Sequence, residues 1–384
     1  MPTSGPMSGI RVLEFGHYIA GPFCTQILAD QGADVIKVEP PGGGPRRNSD
    51  PVVNKGGYFP MLNRNKRSIE VDLKSERGRE IVDALVRTAD VLVTNYGNGV
   101  PPKLGFGYDR LHEVNPRLVY VHATGFGQDS PYARRPAYDG IIQAMSGLLD
   151  MTGEPGRPPA LAGVFVPDHV TGLYGALAVM FGLRQRDVTG EGSYTDLAML
   201  DSMMSFLGAL PSNVVDLGEH PERSGGKVPR SYAGVHPAAD GWVYLAPMAG
   251  RMWEGVAAVI GDPALLDFYS AAPGAADKRI ANRAELDAKI DAWTSRHTTE
   301  EVEQAMGAQG VACSGIFTID QIVADPNVKQ RKLLRTVPLH GGYERTVVAS
   351  PFDVDEATYA ASPPLAGEHT DEILAELGLT AAQA

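Results

Sequence analysis

Short apolar runs alternate with segments of helical period along the first half of the chain. IRVLEFG reads as a strand, AGPFCTQILADQG carries apolar residues at helical spacing and stops at Gly32, and ADVIKVEPP is a second apolar run closed by prolines. That order predicts a βαβ unit with parallel strands. ERGREIVDALVRTA before DVLVTNY, and YDRLHEVNP before RLVYVHATGFG, repeat the pattern, which is that of a doubly wound α/β sheet. A helix-like stretch then runs from Asp168 to Arg186, followed by the turn TGEG and by strand-like SYTDLAML leading into LDSMMSFLGAL.

From about residue 212 the texture changes. PSNVVDLGEHPERSGGKVPRS is polar and rich in Gly and Pro, as expected of a linker or mobile loop. Beyond it, GWVYLAP, AELDAKIDAWTSR, TEEVEQAMGAQ and VACSGIFTI predict a compact α+β insert, and the tail closes on helix-like TDEILAELG. No internal repeat or low-complexity tract is present.

Composition narrows the class. With 384 residues, 43% hydrophobic and 21% charged, the chain is globular and long enough for two domains or one large one. Apolar runs such as residues 172–183 are too short and glycine-rich to span a bilayer, and the start MPTSGPMSG lacks a charged n-region and an apolar h-region, so a soluble cytoplasmic protein is expected. Cys24 and Cys313 sit in apolar company and are expected to be buried free thiols; the nine histidines show no ligand spacing, so no metal site is expected. The net charge of −12 argues against nucleic acid. It is unevenly spread: residues 1–110 hold 14 Lys/Arg against 12 Asp/Glu. Arg46, Arg47, Arg64, Lys66, Arg67 and Lys74 gather there, either as a solvated surface run or as a site for an anionic ligand.

Glu39 ends the second strand where a dinucleotide-binding sheet keeps its ribose-binding acid, but the preceding turn FGHYIAGP lacks G-x-G-x-x-G. Phosphates would find no close backbone approach, so NAD and FAD are not expected. P-loop, H-E-x-x-H, G-x-S-x-G and C-x-x-C motifs are all absent. The informative acid is Asp168 in VPDHVTGLYGALAVMFGLRQR, ahead of a helical run whose Gly172, Gly175, Ala176 and Ala178 would let another backbone approach closely. It reads as an N-cap. The same place at a helix N-terminus would keep a carboxylate ionised and positioned as a nucleophile, with amides to support developing negative charge. Adjacent His169 diverges in direction and reads as packing or surface rather than as the partner in a dyad.

Five segments, taken together, carry a family likeness: LEFGHYIAGPFCTQILADQGADVIKVEPP, NRNKRSIEVDLK, TGFGQDSPYARRPAYD, VPDHVTGLYGALAVMFGLRQRDVTGEGSYTDLAMLDS and PLAGEHTDEILAELG. The chain resembles, over essentially its whole length, the family III CoA-transferases. That group contains formyl-CoA:oxalate and crotonobetainyl-CoA:carnitine CoA-transferases, with the α-methylacyl-CoA racemases as relatives. The insert, with YAGVHPAADGWVYLA and AWTSRHTTEEVEQ, is most similar to the carnitine branch.

The resemblance implies a Rossmann-like large domain of residues 1–212 and 328–384, a small α+β domain of residues 213–327, and two ring-shaped chains interlocked as a homodimer. It implies acyl-CoA and a small carboxylic acid as substrates and no permanently bound cofactor. Asp168 would be the nucleophile, carrying anhydride and aspartyl-CoA thioester intermediates. Tyr18, Lys74, Asn95, Tyr96, Lys103 and Tyr138 would contact CoA, and the basic residues from Arg46 to Arg67 would meet its phosphates. Ser224, Gly225 and Gly226 resemble a glycine-rich loop that covers the site in relatives, or form a plain surface linker. Lys103 stands where many relatives have arginine, which keeps the charge and loses the planar fork. Pro40 and Pro136 replace basic residues found in some relatives, and Ile19 replaces a glutamine near the active site of the oxalate enzyme; these departures count against formate or oxalate as substrate. Tyr138 replaces the histidine that serves racemases as one of two bases, and a tyrosine with pKa near 10 is a poor substitute. The alternatives are racemase chemistry or a CoA-binding relative without turnover. Tyr18, Tyr58, Phe59, Phe126 and Tyr138 could together hold a quaternary ammonium, which would suit carnitine or crotonobetaine; otherwise a different short or medium acid is the substrate.

Overall fold

Parallel strands that are apolar on both faces must be covered by helices on both faces, and the chain supplies them in alternation. A computed structural model describes residues 5–44, 47, 58–228, 231–248, 250–268, 275–352, 354 and 356–379. The elements that frame the argument are, in order, β1 (Arg11–Phe15), α1 (Ala20–Asp30), β2 (Asp34–Glu39), α2 (Tyr58–Asn63), β3 (Lys66–Glu70), α3 (Glu76–Thr88), β4 (Val91–Thr94), α4 (Val100–Lys103), α5 (Tyr108–Val114) and β5 (Val119–Thr124). They continue with α6 (Asp139–Met145), α7 (Val166–Thr189), β6 (Ser193–Ala198), α8 (Met199–Phe206) and α9 (Leu210–Leu217). The six strands form one parallel sheet in the order β3-β2-β1-β4-β5-β6. Strand order reverses between β1 and β4, and the loops leaving their carboxyl ends diverge there to open a crevice.

Alternate residues of each strand feed two cores. Leu13, Phe15, Ile36 and Leu92 pack under Ile81 and Leu85 of α3 on one face. On the other, Val12, Val35, Val93 and Val121 pack under Leu28 of α1 and Val179 of α7. Ser75 starts α3 by accepting the Gly78 N–H at 2.8 Å. The small residues of α7 act as expected: a Cβ on Gly172 would lie 2.9 Å from the Ala20 carbonyl oxygen, and one on Gly175 would lie 3.1 Å from Cys24 Sγ. The helix therefore lies directly on α1. Cys24 is buried and its thiol is pushed up to about 12 by that burial, whereas Cys313 is only half-buried, contrary to expectation.

The basic run NRNKRS is the main departure from the sequence reading. Part of it is β3, and its charges point inward. Lys66 Nζ donates to Glu14 Oε2 at 2.7 Å, and Lys37 Nζ to Glu14 Oε1 at 2.5 Å. Burial raises the Glu14 carboxyl, but the two ammonium groups outweigh it and hold Glu14 down at about 2. Burial likewise brings Lys66 down to about 8. Arg64 pairs with Asp30, Arg67 with Asp34, Glu372 and Glu376, and Arg47 with Glu39. These four residues are not a solvated run: each is buried against an acid, as buried charges must be. Arg46 lies outside the described residues.

The chain divides into two compact units, one of residues 1–148, 161–219 and 326–384, the other of residues 149–160 and 220–325. In the second, β7 (Gly234–Ala238), β8 (Gly241–Leu245) and β9 (Cys313–Gly315) form an antiparallel sheet. It packs with α10 (Gly250–Ile260), α11 (Arg283–Thr294) and α12 (Thr299–Ala308) around Trp253, Ile290 and Met306. Thr298 and Glu301 close a capping box at the start of α12. Residues 210–217, read as linker, are the helix α9. In the tail, β10 (Leu334–Leu339) and β11 (Tyr343–Val348) form a hairpin that the pattern did not announce, followed by α13 (Thr370–Glu376). Among the described residues no helix is long and apolar enough to cross a membrane.

Candidate active site

The carboxyl ends of β1, β4 and β5 and the first turn of α7 border a cleft of about 250 Å³. The β1–α1 turn brings His17 and Tyr18, the β4 end brings Asn95 and Tyr96, the β5 end brings Thr124 and Phe126, the approach to α6 brings Arg135 and Tyr138, and α7 brings Asp168. Tyr18, Asn95, Tyr96 and Tyr138, which the sequence reading grouped with Asp168, are thus gathered around it.

Asp168 is not the N-cap. That position belongs to Phe165, without a side-chain cap, and Asp168 is the third residue of the helix. Its carboxyl is pushed up to about 7, first by burial and then by the neighbouring charge of Asp139. A helix N-terminus favours a carboxylate by at most about 2 kcal/mol, and here burial and a second acid win. At neutral pH the group is poised between its two forms rather than simply held ionised. Asp139 opens α6, and burial raises its carboxyl too. It accepts the Asp168 backbone N–H through Oδ2 at 3.3 Å and the Gln143 Nε2–H through Oδ1 at 2.6 Å.

His17 sits edge-on to Tyr96 and Tyr18, with ring centroids 5.0 and 4.9 Å away. Burial, and then the nearby Lys37 ammonium, lower it to about 4, so it is a neutral imidazole at physiological pH. Tyr18 holds a left-handed backbone at φ +60° and meets Tyr138 edge-on at 6.1 Å. A non-glycine residue in that region costs roughly 1–3 kcal/mol and such outliers concentrate at functional sites. Arg135 is the one guanidinium or ammonium group among the described residues lining the cleft, stacked over Tyr132 at 4.9 Å.

The sequence reading passed over His17 and Asp139. For His17 a signal exists, because it directly follows the first strand, where doubly wound sheets place their ligands; nothing local marks Asp139. Other expectations land elsewhere. Lys74 and Lys103 are exposed, on the connections leaving β3 and β4, and do not line the cleft. His169 packs on Phe23 at 4.9 Å and its Nδ1 lies 2.7 Å from the Phe165 carbonyl, so it forms no dyad. Of the five aromatics, Tyr18, Phe126 and Tyr138 reach the cleft, whereas Tyr58 packs on Phe165 and Phe59 lies under the Arg47 guanidinium. In the second unit, Ser224, Gly225 and Gly226 form a turn whose Gly225 N–H reaches the Gly153 carbonyl at 3.2 Å. Gly225 has φ +58°, a left-handed conformation that favours glycine.

The model of CoA-transferase family III matches residues 7–370. The chain belongs to that family. A succinyl-CoA:mesaconate CoA-transferase of Haloarcula marismortui is 36% identical, over 98% of this chain and 97% of its own. A succinate–glutarate CoA-transferase of Agrobacterium fabrum is also 36% identical, over 97% and 96%. Among solved structures, a CaiB/BaiF family protein from Brucella suis superposes with a TM-score of 0.84 at 34% identity, covering 97% of this chain and all of that one. The protein is therefore an enzyme, a CoA-transferase with the mixed α/β fold of its family. Two of the departures from relatives' patterns sit at the cleft or beside it: Pro136 lines it, and Ile19 is buried at the start of α1.

Proposed function

We propose that this family III CoA-transferase moves CoA from an acyl-CoA donor to a free carboxylic acid with Asp168 as covalent carrier. A carboxylate oxygen of Asp168 attacks the thioester carbon and CoA thiolate leaves from it, giving a mixed anhydride of Asp168 with the donor acid. The thiolate then attacks the Asp168 carbonyl carbon, releasing the donor acid and leaving an aspartyl-CoA thioester. The acceptor carboxylate attacks that thioester, forming a second anhydride and freeing thiolate once more. Attack of the thiolate on the acceptor carbonyl gives the new acyl-CoA and restores Asp168. Atoms and charge balance with Asp168 and CoA alone, so no permanently bound cofactor is required.

The observation that carries this reading is the place of Asp168: in a confined cleft at a strand-order switch point, on the first turn of a helix, with its carboxyl poised at about 7. Racemisation needs a base on each face of an enolate. Tyr138 is a phenol, and His17, at about 4, is too weak a base to replace the missing histidine. A CoA-binding relative without turnover would have no use for a carboxyl held near neutrality.

CoA would enter along Tyr18, Tyr96 and Tyr138, with its phosphates toward Lys74 and Lys103, which are exposed on the carboxyl side of the sheet. A homodimer, interlocked as in the family, is supported by apolar side chains left in solvent along α7 to α9: Phe181 at 69%, Phe206 at 63% and Val215 at 82% exposure. A cytoplasmic location suits acyl-CoA substrates. The relatives named above use different acid pairs, so family membership does not fix the acid. The test is a transfer assay with a panel of CoA donors and acids, carnitine, crotonobetaine, succinate and a branched acid included, on the wild type and Asp168→Asn. Loss of at least about 1,000-fold in the variant is expected. Near-normal transfer by Asp168→Asn, or α-proton exchange with inversion in deuterium oxide, would refute the reading.

A further inference from the structure

The β1–α1 turn carries two of the cleft's aromatic rings although it has left the sheet ladder. The last bridge between the two strands' ends is a long one, from the Asn95 N–H to the Phe15 carbonyl at 3.4 Å. Two residues further on, the peptide groups of His17 need other partners, because buried or half-buried backbone groups without one cost free energy. Both find them on one side chain. Asn95 Oδ1 accepts the His17 N–H at 3.0 Å, and Asn95 Nδ2 donates to the His17 carbonyl at 2.8 Å.

A carboxamide is suited to this because it presents an acceptor and a donor side by side, as a neighbouring strand would. The helix fixes the amide in turn: a Cβ on Gly21 would come within 3.1 Å of Asn95 Oδ1, so the first turn of α1 rests against it. On the other side of the turn, Lys37 Nζ donates to the Gly16 carbonyl at 2.8 Å. The residue that follows this double hold is Tyr18, at φ +60° with its ring facing Tyr138. Left-handed backbone at a tyrosine persists only where surrounding structure over-determines it.

We infer that Asn95 is a positioning residue of the transfer site: it clasps both peptide groups of His17 across the switch point and so holds Tyr18 in its left-handed conformation at the cleft. This rests on the CoA-transfer reading of that cleft and alters one part of it. The Asn95 oxygen and one of its amide protons serve the protein's own backbone, so Asn95 acts on transfer through Tyr18 rather than by touching CoA.

The test uses the full-length enzyme and Asn95→Ala, with backbone hydrogen exchange at His17 read alongside steady-state kinetics. The clasp predicts that exchange at the His17 amide accelerates about 10-fold or more as its acceptor is lost. It predicts that kcat/KM for acyl-CoA falls about 10- to 100-fold together with that loss of protection. An unchanged His17 exchange rate beside a fall in kcat/KM would make Asn95 a direct ligand contact, and faster exchange with wild-type kcat/KM would leave the clasp without a role in transfer; either result overturns the inference. If Asn95→Ala does not fold, Asn95→Asp serves, being the same shape with the acceptor kept and the donor replaced by an oxygen facing the His17 carbonyl. It should retain exchange protection at His17 and still lose kcat/KM for acyl-CoA; wild-type kcat/KM in that variant would overturn the clasp. Exchange at His17 is read without turnover, so a wild type that transfers no CoA sinks the proposed function and leaves the clasp to be judged separately.

Discussion

Asp139 Oδ2 accepts the backbone N–H of Asp168 at 3.3 Å, so the group that steadies the first turn of α7 also presses its charge on the Asp168 carboxyl. The proposed nucleophile is thus held in place and made less acidic by the same neighbour.

Asp139→Asn separates the two effects. The amide oxygen still accepts the Asp168 N–H, but the charge is gone. Asp168 must be ionised to attack, so single-turnover rates of the wild type should fall as pH drops through about 7. In the variant the acidic limb should move to lower pH, since loss of a negative neighbour favours ionisation. A pH–rate profile checks this, and a limb that stays in place would assign the titration to another group.

Asp168→Asn should abolish transfer and yet stabilise the fold. A carboxyl whose folded pKa is raised contributes stability below its unfolded value near 3.8, and that contribution is lost as pH rises through about 7. The neutral amide avoids the loss. The variant should be more stable than wild type by on the order of 1–3 kcal/mol at pH 8, with the gain shrinking toward pH 4. Denaturant unfolding at the two pH values measures it; a gain independent of pH would point to a packing effect instead.

Gly172→Ala tests the seat of α7. The added methyl would lie 2.9 Å from both the Ala20 carbonyl oxygen and a Phe23 ring carbon, one helical turn below Asp168. The helix must lift from α1 and take Asp168 with it. A stability loss of about 1–3 kcal/mol is expected, together with a fall in kcat of about 10- to 100-fold, since displacements near 1 Å carry that cost. Wild-type kcat in a folded variant would show that the α1–α7 contact does not position Asp168.

What could be read in the sequence followed short-range rules. The βαβ periodicity gave five of the six strands of the main sheet, and the glycines of α7 announced a close approach to another backbone. β3 was missed because Lys66 and Arg67 look like surface until Glu14 and Asp34 are known to lie opposite them, a pairing set by strand register and invisible along the chain. The cleft followed the same division. Asp168 and its tyrosines came through motif likeness, whereas Asp139 acts through a contact 29 residues away, and His17 is held down at about 4 by what buries it. α9 hid in a stretch whose Gly and Pro content signals a loop, although NVVDL within it has helical character.

The central claim is that Asp168 carries CoA covalently. The most direct measurement is to mix enzyme with an acyl-CoA donor, quench in acid, digest and weigh the peptide that contains Asp168. The account predicts that this peptide gains the mass of CoA less water, that hydroxylamine removes the adduct, and that Asp168→Asn never acquires it. Rapid CoA transfer with this peptide unmodified, or with the adduct on another residue, would contradict it.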